Sequence, residues 1–290
     1  MITNTKIPVF SLEGSGKDFF EIHHVNDDLD YSRMRLPHRD TNFILAFLKT
    51  GSCEMVVDFE KLRIQGPSIF CILPGQIHQG LSLSGIQAWI LGVDGALIDP
   101  LMRQVLIEES IRSRLVMLQE READLLERSF RLLQEIDIDP GSQFSVLVQR
   151  KMLDTCTSLF TSIYHGISAI AGGLELRPSV IHRAFWALLL RNFRTMKRPK
   201  DYASALNISL TYLNEVIKDL TGFPVSYWII QEITIEAKRL LYYTDSTVKE
   251  IGLNLGYADI AYFIRLFRKI VGQTPLKFRQ LSRQQHTPLK

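Results

Sequence analysis

Apolar and polar positions change rhythm along the 290 residues, from short strand-like runs to a long helical period. FILAFLKTG (Phe43 to Gly51) is rich in β-formers and stops at Gly51. SCEMVVDFEKLRI (Ser52 to Ile64) alternates briefly before Gly66-Pro67. SIFCILPG (Ser68 to Gly75) is apolar up to Pro74-Gly75, and GIQAWILGVDG (Gly85 to Gly95) is a further strand candidate. Short strands at close spacing with Gly/Pro turns predict a small antiparallel barrel or sandwich.

From about Pro100 the period becomes helical. Ala123 to Ile136 places Leu125, Leu126, Phe130, Leu132 and Leu133 on a broad apolar face. Phe144 to Tyr164 continues with Val146, Leu147, Leu153, Leu159, Phe160 and Ile163, and Asp139-Pro140-Gly141 separates the two helices. Such helices either cover the barrel or also pack against a second copy of the chain. The segment 166–178 (GISAIAGGLELRP) has no strong periodicity and reads as a short linker. The pattern therefore predicts a β domain with two helices over residues 1–165 and an all-α domain over 179–290.

The all-α half opens with Val180 to Met196, with Phe185, Trp186, Leu189 and Phe193 inward. Asp201 to Pro224 reads as a short helix, a turn at Leu206-Asn207-Ile208 and a longer helix capped by Ser209. Tyr227 to Tyr242 reads as a connecting helix. Asp245 or Ser246 then begins a second unit, with Gly256 at its turn and Asp259 as its cap. The anchors Leu213, Val216 and Ile217 recur as Phe263, Leu266 and Phe267, an internal repeat of about 50 residues. A short supporting helix, a tight turn and a second helix are the layout of a helix-turn-helix, whose second helix enters a DNA groove.

Charge supports the division. Residues 177–290 hold 18 Lys and Arg against 8 Asp and Glu, a balance of +10. Residues 1–176 hold 16 against 23, a balance of −7. A basic half on an acidic half suggests one nucleic-acid domain and one that avoids DNA. No apolar run reaches the roughly 18 residues that span a bilayer, and the first twenty residues lack the pattern of a secretory signal. A cytoplasmic, nucleoid-associated protein with no membrane partner is expected. Cys53, Cys71 and Cys156 are far apart and sit among apolar residues, as buried free thiols do. EGSGK (Glu13 to Lys17) is too short for a phosphate loop, and neither G-x-S-x-G nor H-E-x-x-H occurs. No catalytic residue and no cofactor are expected.

The pieces YASALNISLTYLNEVIKDLTG, EAKRLLYYTD and KEIGLNLGYADIAYFIRLFRKIVGQTP together resemble the AraC/XylS family of bacterial transcription regulators. The resemblance is strongest over Val180 to Arg279. It implies two helix-turn-helix units joined by one long helix, reading adjacent major-groove segments of promoter DNA. On the first reading helix it points Thr211, Asn214 and Glu215 at bases, with Lys218 beside them. Glu215 stands where the family often has a basic residue. It can accept from cytosine N4, act as a repulsive filter, or pair with Lys218. On the second reading helix it points Ala261, Tyr262, Ile264 and Arg265 at DNA, with Arg268 and Lys269 at phosphates or solvent. Gly252 replaces a common alanine.

GPSIFCILPGQIH (Gly66 to His78) resembles the family's cupin-like sensor barrel, which implies a small-molecule effector, a homodimer and contact with RNA polymerase. His38 and His78 are the effector-pocket candidates, and a surface-turn role stays open for both. His23-His24 read as an acidic loop. No H-x-H precedes the first strand and no Glu sits at the matching distance, so no metal is expected unless the fold supplies further ligands; a cupin-type metalloenzyme with an attached DNA module, and a regulator without a ligand controlled by abundance or a protein partner, stay open as alternatives.

Overall fold

The strands and helices follow the change of rhythm in the sequence. The computed structural model describes residues 8–10, 12, 20–26, 35–57, 60–112, 115–136, 144–170 and 177–284. Glu13 to Lys17 and Asp139 to Gly141, singled out above, lie outside them. The N-terminal part holds β1 (Val9–Phe10), β2 (Phe20–Asn26), β3 (Arg39–Asp40), β4 (Phe43–Val57), β5 (Glu60–Gln65), β6 (Ser68–Ile72), β7 (His78–Val93), α1 (Pro100–Arg112), β8 (Leu115–Met117), α2 (Glu120–Glu135) and α3 (Ser145–Ile170). The C-terminal part holds α4 (Arg177–Asn192), α5 (Pro199–Ala205), α6 (Leu210–Thr221), α7 (Val225–Tyr243), α8 (Val248–Asn254), α9 (Ile260–Val271) and α10 (Pro275–Gln284). Contacts divide the chain into two compact units, Met1–Pro140 with Leu147–Gly173, and Leu174–Lys290 with Gly141–Val146. Helix α3 continues to Ile170, into the segment expected as a linker.

The first unit is built on β4 and β7. They pair antiparallel along nearly their whole length, from Phe43 with Val93 to Val57 with His78. The other edge of β4 changes partner midway. Ile44 to Leu48 pair with β6, and Ser52 to Val57 pair with β5. Between them the register shifts and Gly51 adopts a φ of 81°. A Cβ at Gly51 would fall 2.3 Å from the Gly85 carbonyl oxygen. Glycine thus lets the two long strands bend together. The pattern separated Phe43–Gly51 from Ser52–Ile64, yet Gly51 bends one strand without ending it.

The six-stranded sheet runs β2-β7-β4-β6-β8, with β5 on β4. This path does not close, so a folded open sheet, and no closed barrel, forms among the described residues. His23 and His24 lie in β2, paired with Ile90 and Trp89, and not in a loop.

Alternation assigns the two faces. Val25, Ala46, Leu48, Met55, Val57, Ile64, Phe70, Ile72, Ile86 and Ala88 form one buried cluster. On β4 the opposite face buries Phe43, Leu45 and Phe47, with Trp89, Leu91 and Val93 on β7. Helix α2 turns Leu126, Phe130 and Leu133 inward, and Glu127 meets Lys49 of β4 at 2.7 Å. Phe130 stacks with Phe160 of α3 at 6.5 Å. The three cysteines are free thiols. Burial raises all of them, Cys53 to about 11 and Cys156 to about 12, so they are inert as nucleophiles near neutral pH.

The second unit is organised by α7, which buries Val225, Trp228, Ile229, Ile233, Ala237 and Leu241. Phe185, Trp186, Leu189 and Phe193 of the α4 region face inward as the periodicity predicts. Trp186 and Trp228 meet edge to face at 5.0 Å. The Trp228 indole donates to Thr221 Oγ1 at 2.8 Å, and that hydroxyl donates to the Ile217 carbonyl at 2.6 Å. Trp186 Nε1 donates to His182 Nε2 at 2.8 Å, which requires that nitrogen to be unprotonated.

His182 is only 2% exposed, and burial lowers it from 6.5 to about 3. The unfolded chain takes up a proton near pH 6.5 while the folded chain refuses it until about pH 3. Stability is therefore full above pH 6.5 and falls as pH drops toward 3. Lowering the pH from about 7.5 to about 5.5 should remove about 1 kcal/mol through this group. Urea unfolding followed by tryptophan fluorescence will show it. In His182→Gln, whose side-chain oxygen can still accept from Trp186, that part of the slope should vanish. An unchanged slope would refute the assignment.

Candidate nucleic-acid interface and histidine cluster

Each helix-turn-helix unit is set by local capping chemistry. In the first, Pro199 starts α5, and Asn207 takes the left-handed conformation at a φ of 54°. Ser209 Oγ accepts from the Tyr212 N–H at 3.1 Å, and Gly222 ends α6 at a φ of 77°. In the second, Thr247 and not Asp245 or Ser246 is the N-cap. Its hydroxyl accepts from the Glu250 N–H at 3.2 Å, and the Glu250 carboxylate accepts from the Thr247 N–H at 2.7 Å. That reciprocal box needs Ser or Thr three residues before Glu, which only Thr247 satisfies. Asp259 Oδ1 accepts from the Tyr262 N–H at 2.9 Å, and Gly272 ends α9 at a φ of 82°.

The two units superimpose in sequence with one difference. Ser209 and Asp259 are 259 − 209 = 50 positions apart, whereas the left-handed residues Asn207 and Gly256 are 256 − 207 = 49 apart. The second turn holds one more residue. Its Gly256, at a φ of 81°, lies so close to the Arg194 carbonyl that a Cβ would fall 2.0 Å from the oxygen. Lys197 Nζ donates to the Phe193 carbonyl at 2.7 Å and to the Leu255 carbonyl, and sits 4.8 Å from the Tyr257 ring centre. Burial, with the Arg194 charge alongside, brings this ammonium down to about 8. Arg194 also pairs with Glu236 of α7 at 2.7 Å. The second turn is thereby tied to the segment between α4 and α5.

The residues expected to meet DNA divide by exposure. Thr211, Glu215 and Lys218 on α6 are exposed, and Leu213, Val216 and Ile217 are core. Asn214 is half-buried. Its Oδ1 accepts from the Val225 N–H at 3.2 Å, and its Nδ2 donates to the Leu210 carbonyl at 3.2 Å. The first N–H groups of α7 have no intrahelical acceptor and Pro224 has no side-chain oxygen, so Asn214 takes that capping work. Glu215 and Lys218 form no ion pair with each other among the described residues, which leaves both charges available.

On α9, Ala261, Tyr262, Arg265, Arg268 and Lys269 are exposed, Ile264 and Leu266 are half-buried, and Phe263 and Phe267 are core. Helix α6 carries Glu215 and Asp219 against Lys218. Helix α9 carries Arg265, Arg268 and Lys269 with no acid. Arg265 is 68% exposed and lies 3.9 Å from the equally open Asp259, a pair too solvated to hold it.

A separate arrangement lies in the first unit. His38 and His78 exchange backbone hydrogen bonds of 3.1 and 2.9 Å, and both are buried, at 6% and 5% exposure. They are not surface-turn residues. Their rings lie 4.1 Å apart. Asp40 Oδ2 lies 3.0 Å from His78 Nε2 and 3.8 Å from His38 Nε2. Burial lowers the His38 pKa, which favours its neutral ring. Asp40 is not among the residues expected from the sequence. Its signal was H-x-D at His38-Arg39-Asp40, where alternate residues of a strand share a face.

Residues 202–281 match the family described as "Helix-turn-helix domain". Over 97 residues the chain is 31% identical to the "Bifunctional transcriptional activator/DNA repair enzyme AdaA" of Bacillus subtilis, covering 33% of this chain and 46% of that protein. It thus spans less than half the length of that relative. The Msm operon regulatory protein of Streptococcus mutans is 20% identical over 89% of this chain and 91% of its own length. Among solved structures, the C-terminal domain of the two-component response regulator yesN from Fusobacterium nucleatum is 26% identical. It covers 33% of this chain and 93% of its own, at a TM-score of 0.32.

Gly252 shows how the second unit accommodates its own residues. A Cβ there would lie 2.9 Å from Ile260 Cδ1 and 3.2 Å from Phe263 Cδ1. Glycine in α8 and isoleucine at the start of α9 are therefore complementary. Alanine in place of a helical glycine ordinarily gains about 0.5–1 kcal/mol. Gly252→Ala should forfeit that gain, whereas Ile260→Val, which removes Cδ1, should restore part of it. Thermal denaturation of the four proteins should give a favourable coupling of at least about 0.5 kcal/mol. Strict additivity would show that the contact is not felt.

Proposed function

We propose, on the premise that this chain belongs to the AraC/XylS family through its C-terminal domain, that it is a sequence-specific regulator of transcription acting on double-stranded promoter DNA. One observation carries the reading: two capped helices, α6 and α9, are mounted on a single buried helix with their polar sides open. Helix α7 has 19 residues, about 28 Å at 1.5 Å each, close to the 34 Å or so of one DNA turn. Thr211, Glu215 and Lys218 address one groove segment, with the engaged Asn214 at its edge. Ala261, Tyr262, Ile264, Arg265 and Lys269 address the next. Ala261 and Ile264 suit a thymine methyl, and Arg265 suits guanine O6 and N7. The charge difference makes α9 the stronger phosphate contact.

In this reading residues 1–165 form a cupin-like sensor and dimerisation domain, joined through 166–178 to the DNA-binding domain at 179–290. A small-molecule effector bound there shifts the population of DNA-competent arrangements through unequal affinity for the two states. Leu132 of α2 and Leu147 and Val148 of α3 are exposed and supply an apolar surface for a homodimer. Contact with RNA polymerase would make the chain an activator. The protein works in the cytoplasm, on the nucleoid, without a catalytic step. A second reading, regulation without a ligand, is favoured by the sheet's inner cluster. Met55, Ile64, Phe70, Ile72 and Ile86 already occupy that space. His38 and His78 are too buried to meet a bulky effector, which leaves a small ligand or an ion as their partner.

The test is binding of the full chain to DNA upstream of its own and neighbouring genes, across a salt titration and against random-sequence competitor. Tight, competitor-resistant binding is expected. Binding no better than to random DNA, with and without candidate effectors, would refute the reading. Arg265→Ala should weaken specific binding by about 1–3 kcal/mol and leave random-DNA binding nearly unchanged. An equal loss on both DNAs, with a salt slope shallower by about one, would make Arg265 a phosphate contact instead.

A further inference from the structure

We propose that His38, Asp40 and His78 form a binding site for one divalent first-row transition metal ion, held by two imidazole Nε2 atoms and one carboxylate oxygen. The hydrogen bonds on the far side of each ring carry the argument. His38 Nδ1 lies 2.8 Å from the Leu36 carbonyl oxygen, and His78 Nδ1 lies 3.2 Å from that of Gln76. A carbonyl oxygen only accepts, so these contacts fit the tautomer with hydrogen on each Nδ1. In the neutral rings both Nε2 atoms then present lone pairs, and both face Asp40 Oδ2. A carboxylate oxygen at 3.0 and 3.8 Å from the two nitrogens makes three donor atoms converge on one point. Among the described residues no lysine or arginine pairs with Asp40. A proton on one ring would answer only one of the two lone pairs, whereas a metal ion answers all three atoms.

Spacing and frame agree. The three ligand atoms lie within 4.8 Å of one another. Bonds of about 2.0–2.1 Å in a tetrahedral zinc site put ligand atoms roughly 3.3 Å apart, so small side-chain movements bring all three onto one ion. Nδ1–H groups fixed on backbone carbonyls are the outer shell that metal-binding histidines use. The frame is rigid on every side. His38 and His78 bridge each other through the backbone, β3 pairs with β1, and the Gly75 N–H donates to the Asp40 carbonyl at 2.7 Å. Two histidines and one carboxylate are a donor set for Zn²⁺, Fe²⁺ or Mn²⁺, with coordination positions left over. Bound metal would clamp the 38–40 segment to the start of β7, stabilising the first unit by mass action. The site does not depend on the DNA-binding reading.

The full chain, stripped with chelator, should take up one Zn²⁺ per chain, measured by elemental analysis after competition with a chromogenic chelator. Its melting temperature should rise with Zn²⁺ concentration. Co²⁺ should give visible absorption bands of low-coordinate geometry. Asp40→Asn keeps shape and hydrogen bonding, and should weaken Zn²⁺ at least about tenfold, the size that outer-shell changes already reach. His78→Gln should abolish the Co²⁺ bands. If that variant unfolds, Asp40→Asn with native circular dichroism decides alone. No stoichiometric uptake by wild type, or uptake unchanged in Asp40→Asn, overturns the proposal. Stability that follows pH but not metal would identify a proton as the occupant and overturn it too.

Discussion

Burial of α7 along its length is the constraint on which the DNA-binding half depends. Val225, Trp228, Ile229, Ile233, Ala237 and Leu241 follow a helical period and are all nearly inaccessible. Helix α7 packs against α6 of the first helix-turn-helix and against α8 and α9 of the second, so it spaces the two. Its ends are secured by neighbours. Asn214 of α6 accepts from the Val225 N–H, and Arg279 of α10 donates to the Leu241 carbonyl. An isolated helix of this length is marginal in water, so its stability comes from the packed faces of both units. Disturbing one unit's core is then felt by the other through the shared helix.

The two units are unequal copies. The first encloses its reading helix with an aromatic cluster of Phe185, Trp186, Trp228 and Phe223, tied by Thr221. The second joins Tyr257, Tyr262, Phe263, Phe267 and Phe278, has no tryptophan among them, and leans on Lys197 and the close approach of Gly256 to Arg194. The charges are unequal as well. Phosphate attraction is independent of sequence and screened by salt, and it falls mainly to α9. Helix α6 has an acidic balance, so phosphate attraction gives it little hold. A carboxylate such as Glu215 is tolerated near DNA only where a base donor meets it. On the proposed DNA-binding reading, α9 would hold the duplex and α6 would discriminate.

Short-range features were legible in the sequence, and long-range ones were not. The caps Ser209 and Asp259, the turn at Gly256 and the inward anchors are set within a few residues. The start of α8 at Thr247, after Asp245 and Ser246, is set by the reciprocal box with Glu250. Leu266 looked like core by its spacing but is half-buried, because at about 100° per residue it lies at the margin of the face centred on Phe263 and Phe267. Asn214 has its partner beyond a turn, where periodicity says nothing. The open path of the sheet depends on β4 exchanging β6 for β5 across Gly51, which no local pattern announces. Asp40 joins His38 through strand alternation, but His78 reaches them only through tertiary pairing.

The first unit is packed on both faces of its sheet, and this limits how it can carry a signal. Interiors at this density give way by discrete rearrangement and not by gradual swelling. A bulky effector would have to displace Met55, Phe70 or Ile86 from the inner cluster, losing the burial that holds the fold. An ion, or a contact at the exposed apolar residues of α2 and α3, needs no such displacement. Either acts on what is already exposed or already polar, so its binding energy goes to the difference between states and not to repair of the core. On the proposed reading as a regulator, control would then act at the edge where β1, β3 and the start of β7 meet, or at the helical surface, ahead of the sheet's interior.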